Sequence, residues 1–163
     1  MLTGEGLLKA VKGLKAPEYS RTLQVKLLHE AAKPPTKATE GSACVDFYAA
    51  NEVMLGYESV SRVPLGVAVS FPSRYVLLMF IRSGLASRGL MLANGVGVID
   101  SDYRGELQAL LTPAGPGWDG MRIQPGDRVC QGLLLPKPDL EICVVDELDG
   151  TARGEGGFGH TGR

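Results

Sequence analysis

GVAVSFPSRYVLLMFI, at residues 66–81, consists of two short apolar segments divided by a turn signal. Residues 66–71 and 75–81 are rich in valine, leucine and aromatic side chains, which favour β-strands. Pro72 interrupts them, because proline has no N–H group to donate to a strand ladder and fixes its own φ angle. We therefore predict two short strands on either side of a turn.

The same pattern continues on both sides of this stretch. Proline- and glycine-rich breakers lie at residues 33–35, 113–117 and 124–127. The 10 prolines and 22 glycines of the chain fit short strands and not long helices. Many short strands at such spacing predict an all-β sandwich, jelly roll or barrel. The other candidate strands are residues 22–29, 45–49, 96–99, 106–111, 128–135 and 140–145, and residues 85–92 are a candidate for a single helix.

Both ends of the chain depart from this pattern. In residues 5–15 the apolar side chains fall on one helical face and the lysines on another, which predicts a short amphipathic helix. Residues 151–163 are Gly-rich, carry no strand or helix pattern, and are expected to be mobile. We therefore divide the chain into an N-terminal extension (1–21), a β domain (22–150) and a C-terminal tail (151–163).

Composition excludes several classes of function. Apolar residues make up 44% of the 163 residues, charged residues 21%, and the formal net charge is −1, which does not suggest a nucleic-acid or membrane-surface protein. No apolar run approaches the roughly 20 residues needed to cross a bilayer. Lysines at positions 9, 12 and 15 interrupt the apolar residues of the N-terminus, so no secretory leader is predicted. We expect a cytoplasmic protein with no nucleic-acid partner and no membrane association.

The three cysteines are Cys44, Cys130 and Cys143, an odd number in which no two form a C-x-x-C motif. They predict neither a disulfide framework nor a zinc site, and are expected to be reduced thiols that pack as small apolar groups. Beyond Lys37 the positive charge is almost all arginine, whose planar fork of donors suits phosphate. Taken alone, these arginines are equally well explained as solvated surface charges.

RGEGGFGHTGR, at residues 153–163, ends the chain. Glycines let a backbone approach a ligand closely and direct N–H groups at it, and the flanking arginines add positive charge. Phe158 is a lone aromatic residue among these glycines, and its ring could stack on a nucleobase. A disordered tail with an incidental phenylalanine is the alternative.

Five blocks of sequence, taken in order, make residues 22–163 resemble the trimeric dUTPase family. The third and fifth blocks are long and particular, which makes a coincidence of all five very improbable. The blocks are GSACVDFYAA at residues 41–50, RSGLA at 82–86 with a following glycine at 89, GVIDSDYRGE at 97–106, GDRVCQ at 126–131, and the tail.

The resemblance implies a jelly roll, or distorted β-barrel, with a mobile Gly-rich tail that closes over the active site. It implies hydrolysis of dUTP to dUMP and pyrophosphate by attack of water on the α-phosphorus, which limits uracil in DNA and supplies dUMP for thymidylate synthesis. By the same resemblance, Asp100 activates the water, as a carboxylate that accepts its proton at neutral pH. Asp102 is left as a structural residue.

The resemblance also assigns the parts of the nucleotide. A hairpin from about Asn94 to Gln108 offers main-chain groups to uracil, and Tyr103 lies against the deoxyribose and excludes a 2′-OH. The tail residues Arg153, Gly159, His160 and Thr161 meet the γ-phosphate while Phe158 stacks on uracil. The remaining substrate-binding positions implied are Gly97, Val98 and Ile99 for the base, and Arg82, Ser83, Gly84 and Gln131 for the phosphates.

The implied cofactor is Mg²⁺, held by the triphosphate without a direct protein ligand, with Asp46 as a candidate for its second shell. The implied partners are dUTP itself and two further copies of the chain, in a homotrimer whose active sites are shared between subunits. Two alternatives stay open. A dCTP deaminase would attack the base and release no pyrophosphate, and a regulatory module would bind the nucleotide without turnover.

Overall fold

The apolar segment at residues 75–81 lies inside a four-stranded sheet. The computed structural model describes residues 22–56, 59–115 and 118–157. In it, β6 (Tyr75–Ile81) pairs antiparallel with β11 (Arg128–Pro136) on one side and with β8 (Gly97–Ile99) on the other. β2 (Val45–Tyr48) pairs with the other edge of β11, so the order is β2-β11-β6-β8.

Three smaller antiparallel sheets complete the described architecture. β9 (Gln108–Pro113) lies between β4 (Ser61–Pro64) and β7 (Leu90–Leu92). β1 (Gln24–Leu27) pairs with β5 (Val67–Ser70), and β3 (Val53–Leu55) pairs with β10 (Met121–Ile123). Within the described residues the one helix is the single turn α1 (Ser83–Ala86). The prediction of an all-β fold of the jelly-roll type is confirmed.

The hydrophobic core is formed by the alternate side chains of these sheets. Phe47, Leu77, Leu111 and Val129 are all almost completely buried. Gly132 in β11 is required by this packing, because a Cβ there would lie 2.7 Å from the ring of Phe47. Such a contact is closer than side-chain carbon atoms approach each other, so the core fixes the position of β11 against β2 and β6.

Most of the predicted strands form, with shorter ends. The predicted bounds of residues 75–81 are confirmed, and those of 45–49, 66–71, 96–99 and 128–135 are right to within one residue at either end. The strand predicted at 22–29 is confined to Gln24–Leu27, and the one predicted at 106–111 begins and ends two residues later. The strands not predicted are Val53–Leu55, Ser61–Pro64, Leu90–Leu92 and Met121–Ile123.

The single helix predicted at residues 85–92 is wrong. α1 occupies Ser83–Ala86 and the chain then enters β7 at Leu90. Gly89 stands between them with a φ of +81°, a conformation that ends a right-handed helix and that glycine adopts without a steric penalty.

The strand predicted at residues 140–145 is also wrong within this chain. Residues 138–150 are exposed and form no strand, and Leu140, Ile142 and Val144 are 83–93% exposed. The predicted helix at 5–15 and the tail residues beyond 157 lie outside the described residues. No helix of the described part combines the length and the hydropathy needed to cross a membrane.

Candidate active site

A cleft of about 470 Å³ opens between β8 and the beginning of β9. The cleft is lined by five residues that the sequence analysis singled out, namely Val98, Ile99, Asp100, Tyr103 and Gln108. They come from the end of β8, the connecting turn and the start of β9. The structure therefore brings the residue expected to activate water together with those expected at the base and the sugar.

The two sides of this cleft do not pair with each other. The hairpin predicted from Asn94 to Gln108 is therefore wrong, because no ladder of backbone hydrogen bonds joins β8 to β9. β8 pairs with β6, whereas β9 pairs with β4 and β7. Leu107 fixes the second side to the body, because its N–H donates to the Val67 carbonyl at 2.8 Å and its carbonyl accepts from Leu65 at 3.0 Å. The two strands belong to different sheets, and the space between them is the cleft.

The outer edge of β8 contributes the polar character of the cleft. β8 is the last strand of its sheet, so among the described residues one row of its backbone donors and acceptors has no strand partner. Gly97 is buried at its start, where a Cβ would lie 3.0 Å from the Cβ of Met79. Asn94 is exposed just before this strand, and neither residue is part of the cleft lining.

The turn after β8 holds Tyr103 in a defined position. The N–H of Tyr103 donates to the carbonyl of Asp100 at 3.2 Å, and its hydroxyl donates to the carbonyl of Glu106 at 3.1 Å. The ring lies so close over Gly105 that any side chain there would collide with it. Arg104 closes the turn by donating to the carbonyl of Ser101 at 2.7 Å and to that of Tyr103 at 2.9 Å.

Glu106 ties this turn to the neighbouring sheet. Its Oε1 accepts from the N–H of Gly66 at 2.9 Å and lies 3.5 Å from Nε2 of His29. Gly66 has a φ of +67°, so its N–H is presented at a sharp bend between β4 and β5. The four lining residues that the sequence analysis did not single out are Arg62, Glu106, Leu107 and Leu110. Glu106 ends the third block, whereas Arg62 and Leu110 are brought together only by strand register.

A second group of predicted residues gathers around Asp46, whose side chain is 9% exposed. Its Oδ1 accepts from Nε of Arg82 at 2.8 Å, and its Oδ2 lies 3.4 Å from Nη1 of Arg128. Ser83 begins α1 directly after Arg82, and Gly84 follows in the same turn. Gln131 of β11 lies opposite Asp46 of β2, and its side chain donates to the carbonyl of Ile81 at 3.4 Å.

This charged group has an excess of positive charge, because two guanidinium groups share one carboxylate. Arg82 is 25% exposed and Arg128 is 48% exposed, so both cations reach solvent while the carboxylate is buried. Such an arrangement can bind an anion, since guanidinium groups donate to phosphate in a bidentate way. Arg128 was not singled out by the sequence analysis, although it lies within the fourth block.

The cysteine beside this group is chemically inert. Burial, and to a smaller extent the negative charge of Asp46, raises the pKa of the Cys130 thiol to about 12. The thiol is therefore neutral at physiological pH and is a poor nucleophile. This agrees with the expectation that it packs as a small apolar group.

Strand register separates the two groups of residues within one chain. Ile99 lies opposite Leu77 in the antiparallel pair of β8 and β6, so Asp100 is level with Val76. Arg82 follows the opposite end of β6. At about 3.4 Å per residue, the backbones of Asp100 and Arg82 are roughly 20 Å apart along the strand direction.

The described part of the tail does not reach either group. Arg153 is exposed, and its Nε donates to the carbonyl of Gly156 at 2.8 Å in a local turn. Phe158, Gly159, His160 and Thr161 lie outside the described residues.

The described residues offer no ready-made cage of side-chain ligands for a metal ion. In the part of the chain that the structure describes, no three His, Cys, Asp or Glu side chains are grouped so that they could hold a metal. Both oxygens of Asp46 face arginines, so that carboxylate is already engaged with positive charge.

Known proteins resemble this chain along most of its length. The dUTPase family model matches residues 30–162. The deoxyuridine 5'-triphosphate nucleotidohydrolase of Desulfitobacterium hafniense is 45% identical over 137 residues, which cover 82% of this chain and 89% of that protein. The protein of the same name from Helicobacter pylori is 37% identical over 141 residues, 86% of this chain and 96% of that one.

Solved structures agree with the sequence matches. The dUTPase of Staphylococcus bacteriophage 80alpha with dUPNHPP superimposes with a TM-score of 0.79 at 29% identity, covering 88% of this chain and all of that one. A mutant dUTPase from phage phi11 of S. aureus, described with a structural Mg(II) ion, gives a TM-score of 0.71 at 27% identity over 79% of this chain and 99% of that one. The match of the family model, the identity with two curated relatives and the shared fold lead to one conclusion: the chain belongs to the dUTPase family.

Proposed function

We propose that this chain hydrolyses dUTP to dUMP and pyrophosphate, and so limits uracil in DNA and supplies dUMP for thymidylate synthesis. The observation that carries the proposal is that Asp100 and Tyr103 line one cleft together with the free edge of β8. A strand edge beside a carboxylate combines recognition of a base with activation of water.

Uracil is selected by the backbone at this edge. A row of fixed N–H and C=O groups can imitate a complementary base, because it presents donors and acceptors in a set order. Cytosine reverses one donor and one acceptor, and each buried group left unpaired costs about 1–3 kcal/mol. Asn94 and Gly97 define the entry of this strand, Val98 and Ile99 supply the edge, and Gln108 lies on the facing side.

Asp100 and Tyr103 act on the adjoining parts of the nucleotide. The Asp100 carboxylate is exposed at the end of β8, where it orients a water molecule toward the α-phosphorus and accepts its proton. The Tyr103 ring packs against the deoxyribose. Its hydrogen bond to Glu106 and its contact with Gly105 keep the ring in place, so a 2′-OH has no room.

The triphosphate is bound by the residues around Asp46. Arg82, Ser83, Gly84 and Gln131 are the proposed ligands, and Asp46 presents Arg82 in a fixed orientation. Arg153 joins them at the γ-phosphate when the tail closes, with Phe158 on the base and Gly159, His160 and Thr161 around the phosphates. When bound, Mg²⁺ would be carried by the triphosphate without a direct protein ligand, and it would supply charge neutralisation as pyrophosphate leaves.

A separation of roughly 20 Å between Asp100 and Arg82 along β6 supports an active site shared between chains, since phosphates close to Asp100 would lie far from Arg82 of the same chain. The exposed apolar residues Leu140, Ile142 and Val144 support the same proposal, because alternating apolar residues in an extended segment are typical of a strand that packs on another surface. We propose a homotrimer in the cytoplasm, in which the tail of one chain covers a site built by its neighbours.

Incubation with each deoxynucleoside triphosphate, followed by measurement of pyrophosphate and product, tests the activity. Release of pyrophosphate and dUMP from dUTP alone is the expected result. Conversion of dCTP to dUTP without pyrophosphate would instead identify a deaminase, and tight binding of dUTP without turnover would identify a nucleotide-binding regulatory module. Sedimentation equilibrium tests the assembly, and an active monomer would refute the shared site.

A further inference from the structure

Arg62 lies in the same cleft as the base-reading edge. It is the second residue of β4 and lies opposite Leu110 of β9, and both line the cleft. The next pair in this register, Val63 and Ala109, is buried in the core. Because side chains alternate along a strand, Arg62 and Leu110 face away from the core and toward the cleft.

The position of Arg62 along the cleft is at the end remote from the turn. Asp100 and Tyr103 lie in the turn, and Gln108 is the first residue of β9 after it. Leu110 is two residues further along β9, which is about 7 Å at the rise of a strand. A nucleotide with its α-phosphate at Asp100 and its sugar at Tyr103 therefore extends its base toward Arg62.

The chemistry of this position is unusual because the guanidinium group is a donor only. Arg62 makes no hydrogen bond or ion pair with any of the described residues. Neither carboxylate of the cleft pairs with Arg62. Asp100 belongs to the turn, and Glu106 accepts from the N–H of Gly66 and faces His29. A charged donor without a protein partner suits a carbonyl oxygen of the ligand.

We propose that Arg62 is a base-specificity residue that donates a hydrogen bond to the carbonyl oxygen at C4 of uracil, a role that rests on the proposed function of the cleft. C4 lies across the pyrimidine ring from N1, which carries the sugar, so it is the ring position that points away from Tyr103. It is also the position where cytosine has an amino group. An amino group offers no acceptor to a guanidinium, so dCTP is rejected at the same point where dUTP is bound.

Arg62→Met tests this role, since it keeps the length of the side chain and removes every donor. We expect kcat/KM for dUTP to fall about 10- to 100-fold, mainly through KM, because a charged hydrogen bond to the bound base is lost. Ki for dCTP should change little or even fall, so the ratio of Ki for dCTP to KM for dUTP becomes smaller. In Arg62→Lys, kcat/KM for dUTP should fall several-fold and Ki for dCTP should stay unchanged.

Arg122→Met is the matched control, because Arg122 makes an exposed ion pair with Glu52 away from the cleft and should leave both constants unchanged. Unaltered constants in the Arg62 variants, or an equal loss with both nucleotides, would overturn the proposal. If Arg62→Met does not fold, the same comparison of the dUTP and dCTP constants in Arg62→Lys tests the proposal. The wild-type protein is assayed first. If it does not hydrolyse dUTP, the proposed function itself is refuted, independently of any Arg62 variant.

Discussion

Replacing Asp46 by asparagine should weaken both the fold and the activity. The side chain is 9% exposed and both oxygens face arginines, so the variant leaves two cations with a neutral partner of the same shape. Removing one member of a buried ion pair is costly because the remaining charge is only partly solvated. The size of the effect follows from the two contacts separately.

The contact with Arg82 dominates. At 2.8 Å it is a charge-assisted hydrogen bond, and such bonds contribute about 1.5–3 kcal/mol. The contact with Arg128 is longer, 3.4 Å, and the 48% exposure of that side chain lets water screen it, so it adds at most about 1 kcal/mol. Because the asparagine oxygen still accepts one hydrogen bond, part of this sum is retained, and we expect the free energy of unfolding to fall by about 1–3 kcal/mol.

Urea unfolding at one fixed protein concentration measures this change, since the stability of an assembled protein depends on concentration. Activity should fall as well, by roughly tenfold or more in kcat/KM for dUTP, because Arg82 loses the group that orients it. Glu52→Gln is the control, as it removes an ion pair with Arg122 in which both side chains are about half exposed. Its cost should stay below about 1 kcal/mol.

Two results would contradict this account of Asp46. If Asp46→Asn and Glu52→Gln cost the same free energy, burial of the carboxylate does not matter. If Asp46→Asn is less stable but keeps its kcat/KM, then the carboxylate stabilises the fold without positioning Arg82 for a phosphate.

Three further predictions concern the proposed base, the tail and the buried thiol. Asp100→Asn should abolish turnover while calorimetry still detects binding of dUTP, and normal turnover would refute the assigned role. Deletion of residues 153–163 should cut kcat/KM severely in the same pyrophosphate assay, whereas unchanged kinetics would reject a closing tail. The raised pKa of Cys130, about 12 against 9.0, means that the unfolded chain loses its thiol proton first as the pH rises, so the stabilisation is complete below pH 9 and is lost toward pH 12. Relative to Cys130→Ala, the unfolding free energy of the wild type should fall by about 1 kcal/mol per pH unit above 9, measured by urea titrations. The same pH dependence of unfolding free energy in both proteins would contradict this.

Local sequence predicted the long strands well and the short ones poorly. β6 and β11 contain long apolar segments bounded by proline or glycine, so both their existence and their ends are encoded locally. β3, β7 and β10 have three residues each, too few to display an alternation, and of the strands this short only β8 was predicted. Such strands form because the chain brings a partner beside them, and this information is not local.

The incorrect strand at residues 140–145 has a different cause. The alternation of Leu140, Ile142 and Val144 is present in the sequence, but a strand also needs a ladder partner and a surface to cover one face. The described residues of one chain supply neither, and the three side chains are exposed. The pattern is compatible with a partner contributed by another copy, which the sedimentation experiment addresses.

The residues of the candidate site, too, were only partly predictable from local sequence. Asp100 and Tyr103 lie in a contiguous block, and their meeting in one cleft follows from a short turn that local sequence encodes. Arg62 belongs to no block and enters the cleft only through the register of β4 with β9. A resemblance based on blocks therefore identifies the shared chemistry of a family but does not identify the residues that adjust it in one member.

The geometry of β6 explains why binding of the base and binding of the phosphates are assigned to different copies. A strand cannot shorten, since its rise per residue is set by the backbone, and Asp100 and Arg82 flank opposite ends of this one. Rotation of one side chain cannot close a separation of roughly 20 Å along the strand. If both residues act on one nucleotide, the second must come from another chain. Assembly then becomes a condition for catalysis, and an isolated chain is expected to recognise uracil without holding the triphosphate in line for attack.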